Sequence, residues 1–280
     1  RDWSSDVCSS DLQKVTAAGE NRRTRWLAGV FLFGDNDHQP TTIEMRPQKV
    51  EQRLDGTVAS HAQAVFGQAT MRVAGRVSIT AGMRHSWEQK GIVNNAKLFA
   101  LTASPVQVPG GFSYVDEIAH DAWTPKVGVD IHVQPDTMVY VSATRGFKTG
   151  GFNLSSPEAG RGYAPEWAWS YEGGVKSLTA NGRLRMTASA FYTDYTNLQV
   201  QTTIRPGVLD ISNAASAKIH GLEWEATSRV SRAVNVGGHL AWLHSEYGRY
   251  LAVGLNGVTA ATLDVAGRSL SNAPDWSGRL

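Results

Sequence analysis

A chain of 280 residues with a formal net charge of +2 carries no basic excess that would draw it to nucleic acid, and its lysines and arginines are scattered. Its longest apolar run, residues 26–34, is far shorter than the roughly 18–20 residues of a spanning helix, so the chain either is soluble or crosses a membrane as strands. The single cysteine, Cys8, leaves no disulfide framework.

Residues 1–12, RDWSSDVCSSDL, resemble a translated sequencing adapter and are set apart from the fold as non-native. The absence of an initiator Met and of a signal peptide reads as truncation, which leaves residues 13–280 as the folded part. Within it, residues 25–33 form a first strand whose facing is unclear, because the run is apolar throughout. The polar stretch 34–56 follows, and its Pro, Asp and Asn content reads as loop.

A strand at 58–73 then alternates Val65, Gly67, Ala69, Met71 and Val73 with Phe66, Gln68, Thr70 and Arg72. Ala74-Gly75 turns it into 77–87, where Val77, Ile79, Ala81, Met83 and Trp87 alternate with Ser78, Thr80, Gly82, Arg84 and Ser86. Successive side chains of a strand point to opposite faces, so both strands have one apolar and one wet face. A long connection, 89–121, leads to a strand at 123–133, a turn at Pro135, and a return strand at 139–144.

A further long loop, 148–166, opens on the hairpin 164–201. Its tip is Asn181-Gly182, two residues that accept positive φ and are the strongest short-range hairpin signal. Its arms are long against a usual strand of roughly 5–6 residues. Beyond a connection at 205–213, strands are expected at 222–230 and 234–242. A loop at 251–271 then precedes the start of one more strand in NAPDWSGRL.

Short turns near Gly75, Pro135, Asn181 and Arg232 thus share one end of an antiparallel sheet, and the long connections share the other. That asymmetry is the pattern of bacterial outer-membrane barrels, with short periplasmic turns and long extracellular loops. Trp87, Trp123, Trp169, Tyr171, Tyr192, Tyr195, Trp224, Trp242 and Tyr247 gather toward the long-loop side and suit a membrane-interface girdle, whereas Tyr140 faces inward.

Catalytic signals are absent. Glu223 and Glu225 share a face with Arg229 and could be a glycosidase carboxylate pair. A solvated wall with charge pairing accounts for them better, as a lumen ion pair does for Glu172 and Lys176. His61, His85, His132, His220, His239 and His244 show no close metal-ligand spacing, and Gly110-Gly111 and Gly150-Gly151 lack the strand-to-helix setting of a phosphate loop. No cofactor is expected.

Seven phrases follow one another from residue 66 to the end: FGQAT (66–70), ITAGMRHS (79–86), VYVSATRGFKTGGFN (139–153), APEWAWSYEGGVKS (164–177), FYTDYTNLQV (191–200), NAASAKIHGLEWEA (213–226) and LSNAPDWSG (270–278). In their order and spacing the chain resembles the TonB-dependent receptors. The resemblance implies an all-β fold, an antiparallel transmembrane β-barrel of 22 strands around an N-terminal plug.

This chain would supply an open sheet of about nine to ten strands, with the plug and the C-terminal strands outside it. The resemblance also implies a bacterial outer-membrane location, contact with outer-membrane lipid, and active import of a scarce solute such as a ferric siderophore. The TonB–ExbB–ExbD complex would power that import through the N-terminal region. The long loops would hold the solute contacts, for which Lys90, Lys97, Tyr114, Lys148, Arg161 and Tyr163 are the candidates. A passive porin, or a soluble all-β carbohydrate-binding domain, would share much of the strand pattern.

Overall fold

The computed structural model describes residues 9–155, 162–179, 181–205, 208–248, 250–256 and 259–280. Among them the chain runs β1 (Ser9–Glu20), β2 (Thr24–Met45), β3 (Val50–Ala74), β4 (Val77–Ala100), β5 (Gln107–Gln134), β6 (Thr137–Lys148) and β7 (Glu166–Thr179). It continues through β8 (Leu184–Arg205), β9 (Val208–Arg229), β10 (Asn235–Tyr247), β11 (Leu251–Asn256), β12 (Thr259–Asp264) and β13 (Trp276–Arg279). The first ten strands and β13 make one open, 11-stranded antiparallel sheet in chain order, and β11 and β12 form a separate ribbon.

The sheet has one strand more than the sequence pattern suggests. β1 pairs with β2 from Ser9↔Asn36 to Glu20↔Arg25, so Ser9, Ser10, Asp11 and Leu12 of the segment set apart as non-native lie in the ladder. The strand was not visible in the sequence because its apolar residues are few. Its backbone nevertheless satisfies the donors and acceptors of β2, which an apolar count does not register.

Three expected connections are largely strand. Residues 34–56 extend β2 and β3 as far as the tip at 46–49. Residues 89–121 extend β4 and β5 to a tip at 101–106, and 205–213 falls mostly within β8 and β9. The reason is common to all three: above the apolar band the outer face is wet and the inner face holds polar and apolar residues together, so the alternation that marks a strand is lost while the backbone ladder carries on. Residues 251–271 likewise contain the β11–β12 ribbon.

The short turns do share one end, and Asn181 (φ 57°) with Gly182 (φ 80°) has the two positive φ values of a type I′ turn. Residues directly opposed in neighbouring strands point to one face. One such row runs Ile79, Val129, Val141, Gly173, Ala190, Leu222, Trp242, Trp276 across eight strands. The row beside it runs Thr80, Gly128, Ser142, Glu172, Phe191, Gly221.

The first face is apolar and bare: Val127 is 54% exposed, Val141 56% and Leu222 55%. The second, concave face is polar, and its few large rings lie over directly opposed glycines. Phe66 faces Gly29, Tyr140 faces Gly174 and Phe191 faces Gly221. A Cβ on Gly174 would sit 2.8 Å from the Tyr140 hydroxyl and 2.6 Å from the Ala188 carbonyl oxygen, so no larger residue fits there undisturbed. Buried side chains concentrate at the long-loop end, where Leu54, Ile92, Asn94 and Ala96 of β3 and β4 are covered from the concave side.

Candidate functional site

What covers them is the stretch that leaves β6. Residues 149–155 fold inward across the concave face and are fastened from both sides. On one side, Gln52 of β3 donates to the Ser155 carbonyl (3.4 Å), Lys90 Nζ of β4 to Gly150 (2.9 Å), Asn94 Nδ2 to Leu154 (2.9 Å) and the Tyr114 hydroxyl of β5 to Asn153 (2.8 Å). On the other side, Gln199 Nε2 of β8 donates to the Thr149 carbonyl (2.8 Å). The Asn153 carboxamide also bonds both backbone groups of Ile211 in β9, donating at 2.9 Å and accepting at 2.8 Å.

Asn153 is 8% exposed. The far limb of the loop returns by a bridge between Gly151 and Tyr163, with both backbone bonds formed. Asn213 secures that limb by bonding the amide (2.6 Å) and the carbonyl (2.8 Å) of Ala164.

This arrangement reassigns the candidate contact residues. Lys90, Tyr114 and Tyr163 are built into the inward loop. Burial is the main reason that the Lys90 ammonium falls below its ordinary range, with Glu88 opposing and Lys148 adding to the shift. Burial likewise raises the phenols of Tyr114 and Tyr163. His120, opposite Glu88 on the same face, is lowered chiefly by burial.

Lys97 is opposed to Arg53, one residue out of step with the buried pair Leu54–Ala96, so it points to the convex side, away from the concave face. Lys148 stays at the inner rim opposite Glu166. Arg161 lies outside the described residues. The sequence reading passed over Asn153, Gln199 and Asn213, the polar residues that do the fastening. Their only signal was their place inside the phrases 139–153, 191–200 and 213–226.

Below this level the concave wall carries charge without the expected ion pairing at Glu172. That carboxylate accepts from the Tyr140 hydroxyl, and Lys176 Nζ lies over the Tyr140 ring at 5.0 Å. Glu223 and Glu225 line the same face. Arg84 stands over the Phe31 ring at 4.9 Å and Lys14 over Phe66 at 5.4 Å, which places basic groups on the opposite arm of the sheet. Among the described residues no three His, Cys, Asp or Glu side chains gather as metal ligands.

On the convex face Trp87, Trp123, Trp169, Tyr171 and Tyr192 form a collar on the long-loop side of the apolar row. Trp242 shares that face but lies within the row, and Trp224 lies two residues nearer the short turns. His85 stacks on Trp123 (centroids 4.0 Å, 8°), and the Arg145 guanidinium lies over Trp167 at 3.9 Å. Tyr195 is a correction. It opposes Ala168 and Ala217, three residues on from Tyr192 and so of opposite parity, which puts it on the concave face.

A sheet with an apolar band across its convex side, polar within and collared by aromatics, is the wall of a transmembrane β-barrel. More narrowly, residues 9–280 match the family model described as "TonB dependent receptor-like, beta-barrel", and the chain belongs to that family, whose barrels are outer-membrane transporters rather than enzymes.

Among solved structures, the ferric yersiniabactin uptake receptor FyuA from Yersinia pestis superposes with a TM-score of 0.76 at 20% identity, covering 96% of this chain and 38% of that one. The ferric-catecholate import receptor Fiu from Escherichia coli K12 gives 0.63 at 14% identity, covering 95% and 40%. The metal-pseudopaline receptor CntO of Pseudomonas aeruginosa is 28% identical over 159 residues, 57% of this chain. The chain spans only 20% of the length of that curated relative.

Proposed function

We propose that the protein forms part of the wall and mouth of a TonB-dependent outer-membrane transporter that imports a metal chelate, foremost a ferric siderophore. The family match over 9–280 carries this reading. It is supported by relatives whose names specify ferric yersiniabactin, ferric catecholates and metal-pseudopaline as their solutes. The convex face would meet lipid, with the aromatic collar at headgroup level, where amphipathic rings are favoured. The short turns would then face the periplasm and the inward loop the medium.

The plug and the TonB contact would come from sequence outside this chain, and the TonB–ExbB–ExbD complex would supply the energy. A wall of this kind holds no reacting group. It contributes shape, charge and the seating of the loops. The test is growth and iron uptake of a strain lacking the gene under iron limitation. Uptake from a ferric siderophore should fall and should be abolished equally by an uncoupler of the proton gradient. Uptake that survives the uncoupler would instead support a passive pore.

A further inference from the structure

The inward stretch 149–155 does more than cover the wall. Strands in a flat sheet lie about 4.8 Å apart, so β3 and β9 would be separated by about 29 Å. Yet Ser155 takes a hydrogen bond from Gln52 of β3 while Asn153, two residues away, holds Ile211 of β9. Those two residues are at most about 7 Å apart along the chain. The sheet is therefore curled at its long-loop end, and one short segment spans the arc as a chord. Asn153 is where the two sides join, because its carboxamide bonds β9 while its carbonyl accepts from Tyr114 of β5.

We propose that Asn153 is a positioning residue that holds residues 149–155 as a fixed crossbar. In the assembled protein a solute at the long-loop end meets this crossbar, and the wall of β3–β5 behind it is withdrawn from contact. Gln52, Leu54, Ile92, Asn94 and Ala96 are buried under or beside it. The space at Gly56 is filled as well, since a Cβ there would lie 2.5 Å from Leu154 Cδ2. Selectivity at this arc thus belongs to the crossbar's exposed side and to the inner rim near Lys148. The fixing itself is independent of the transport reading, and only its effect on solute rests on that reading.

The experiment uses the full-length receptor in the outer membrane of intact cells, with Cys8→Ser as background. Leu154→Cys and Val115→Cys report separately, the latter on a 76% exposed convex-face position. The probe is a membrane-impermeant maleimide. A fixed crossbar makes Leu154→Cys react about 100-fold more slowly than Val115→Cys, as a site that must open locally does. Adding Asn153→Ala brings the two rates within about tenfold of each other. Asn153→Asp keeps the acceptor for the Ile211 amide and loses the donor, and its rate falls between.

Should Asn153→Ala fail to reach the surface, as judged by the Val115→Cys signal, Asn94→Ala frees the Leu154 carbonyl and must raise the Leu154→Cys rate in its place. Equal labelling of Leu154→Cys and Val115→Cys in the unaltered crossbar would overturn the proposal. Growth under iron limitation separates the two readings. Asn153→Ala slows it while Ile92→Val does not. If deletion of the whole gene leaves growth unchanged, the transport reading fails while the labelling result stands.

Discussion

Arginine in place of Val129 tests the assignment of the two faces. Val129 lies on the convex row between Ile79 and Val141. With a rise of about 3.4 Å per residue and a tilt of about 40°, each residue of β5 gains about 2.6 Å of height. Val129 therefore sits about 16 Å below Trp123, close to the middle of an apolar band about 25 Å tall. A guanidinium there costs roughly 2–4 kcal/mol, against 0–1 near the interfaces.

Ser142→Arg is the matched control. Ser142 is on the concave face opposite Gly128 and Glu172, where an added cation meets water and a carboxylate. Its expected cost is within about 0.5 kcal/mol, as at most surface positions. The assay is denaturant unfolding of the full-length barrel from phospholipid vesicles, compared at constant slope. A neutral Val129→Arg beside a destabilised Ser142→Arg would refute the assignment and turn the sheet inside out.

Gly174→Val should cost about 1–3 kcal/mol by overpacking against Tyr140, and a double mutant with Tyr140→Ala should recover part of that loss in the same unfolding assay. Asn213→Ala leaves the Ala164 amide without its partner and the carbonyl with Gln199 alone, and should cost about 0.5–1.5 kcal/mol, with faster hydrogen exchange at the Ala164 amide as the local readout. Lys90 is held below its ordinary value of 10.5 mainly by burial, so just below pH 10.5 the unfolded chain binds more protons than the folded one. Stability therefore rises with pH through that window, and Lys90→Met should flatten the rise in a series of denaturant midpoints.

Much of the wall was legible in the sequence because a half-buried strand writes its facing as alternation. Val77 to Trp87 and Trp123 to Val133 show this, and the register confirms their shared face. Residues 25–33 hid their facing because Leu27, Phe31 and Phe33 on the concave side are as apolar as Trp26, Val30 and Leu32 on the other. Only pairing with Gln68, Ala64 and Ala62 separates them. The extended tips were misjudged as loops because strand above the apolar band needs no apolar residue.

Tyr195 shares the long-loop end with Tyr192 but not its parity, and position along the strand alone does not give the face. The candidate site was the least legible part. Positive and aromatic residues were sought as contacts, whereas the loop is held by Asn153, Gln199 and Asn213. Those carboxamides fasten backbone groups across strands far apart in sequence, and no local pattern marks which carbonyl a carboxamide will reach.

The length of the strands has a practical side. β5 has 28 residues, which at about 2.6 Å of height each makes a pillar of about 73 Å, nearly three times the apolar band. Since Pro135 and its counterparts end close beneath that band, almost all of the excess stands on one side. The hairpin tips at 46–49 and 101–106 are thus carried tens of ångströms clear of the lipid on hydrogen-bonded stems. An epitope grafted into either tip would be displayed well above the bilayer, with the lipid-embedded part of the barrel undisturbed.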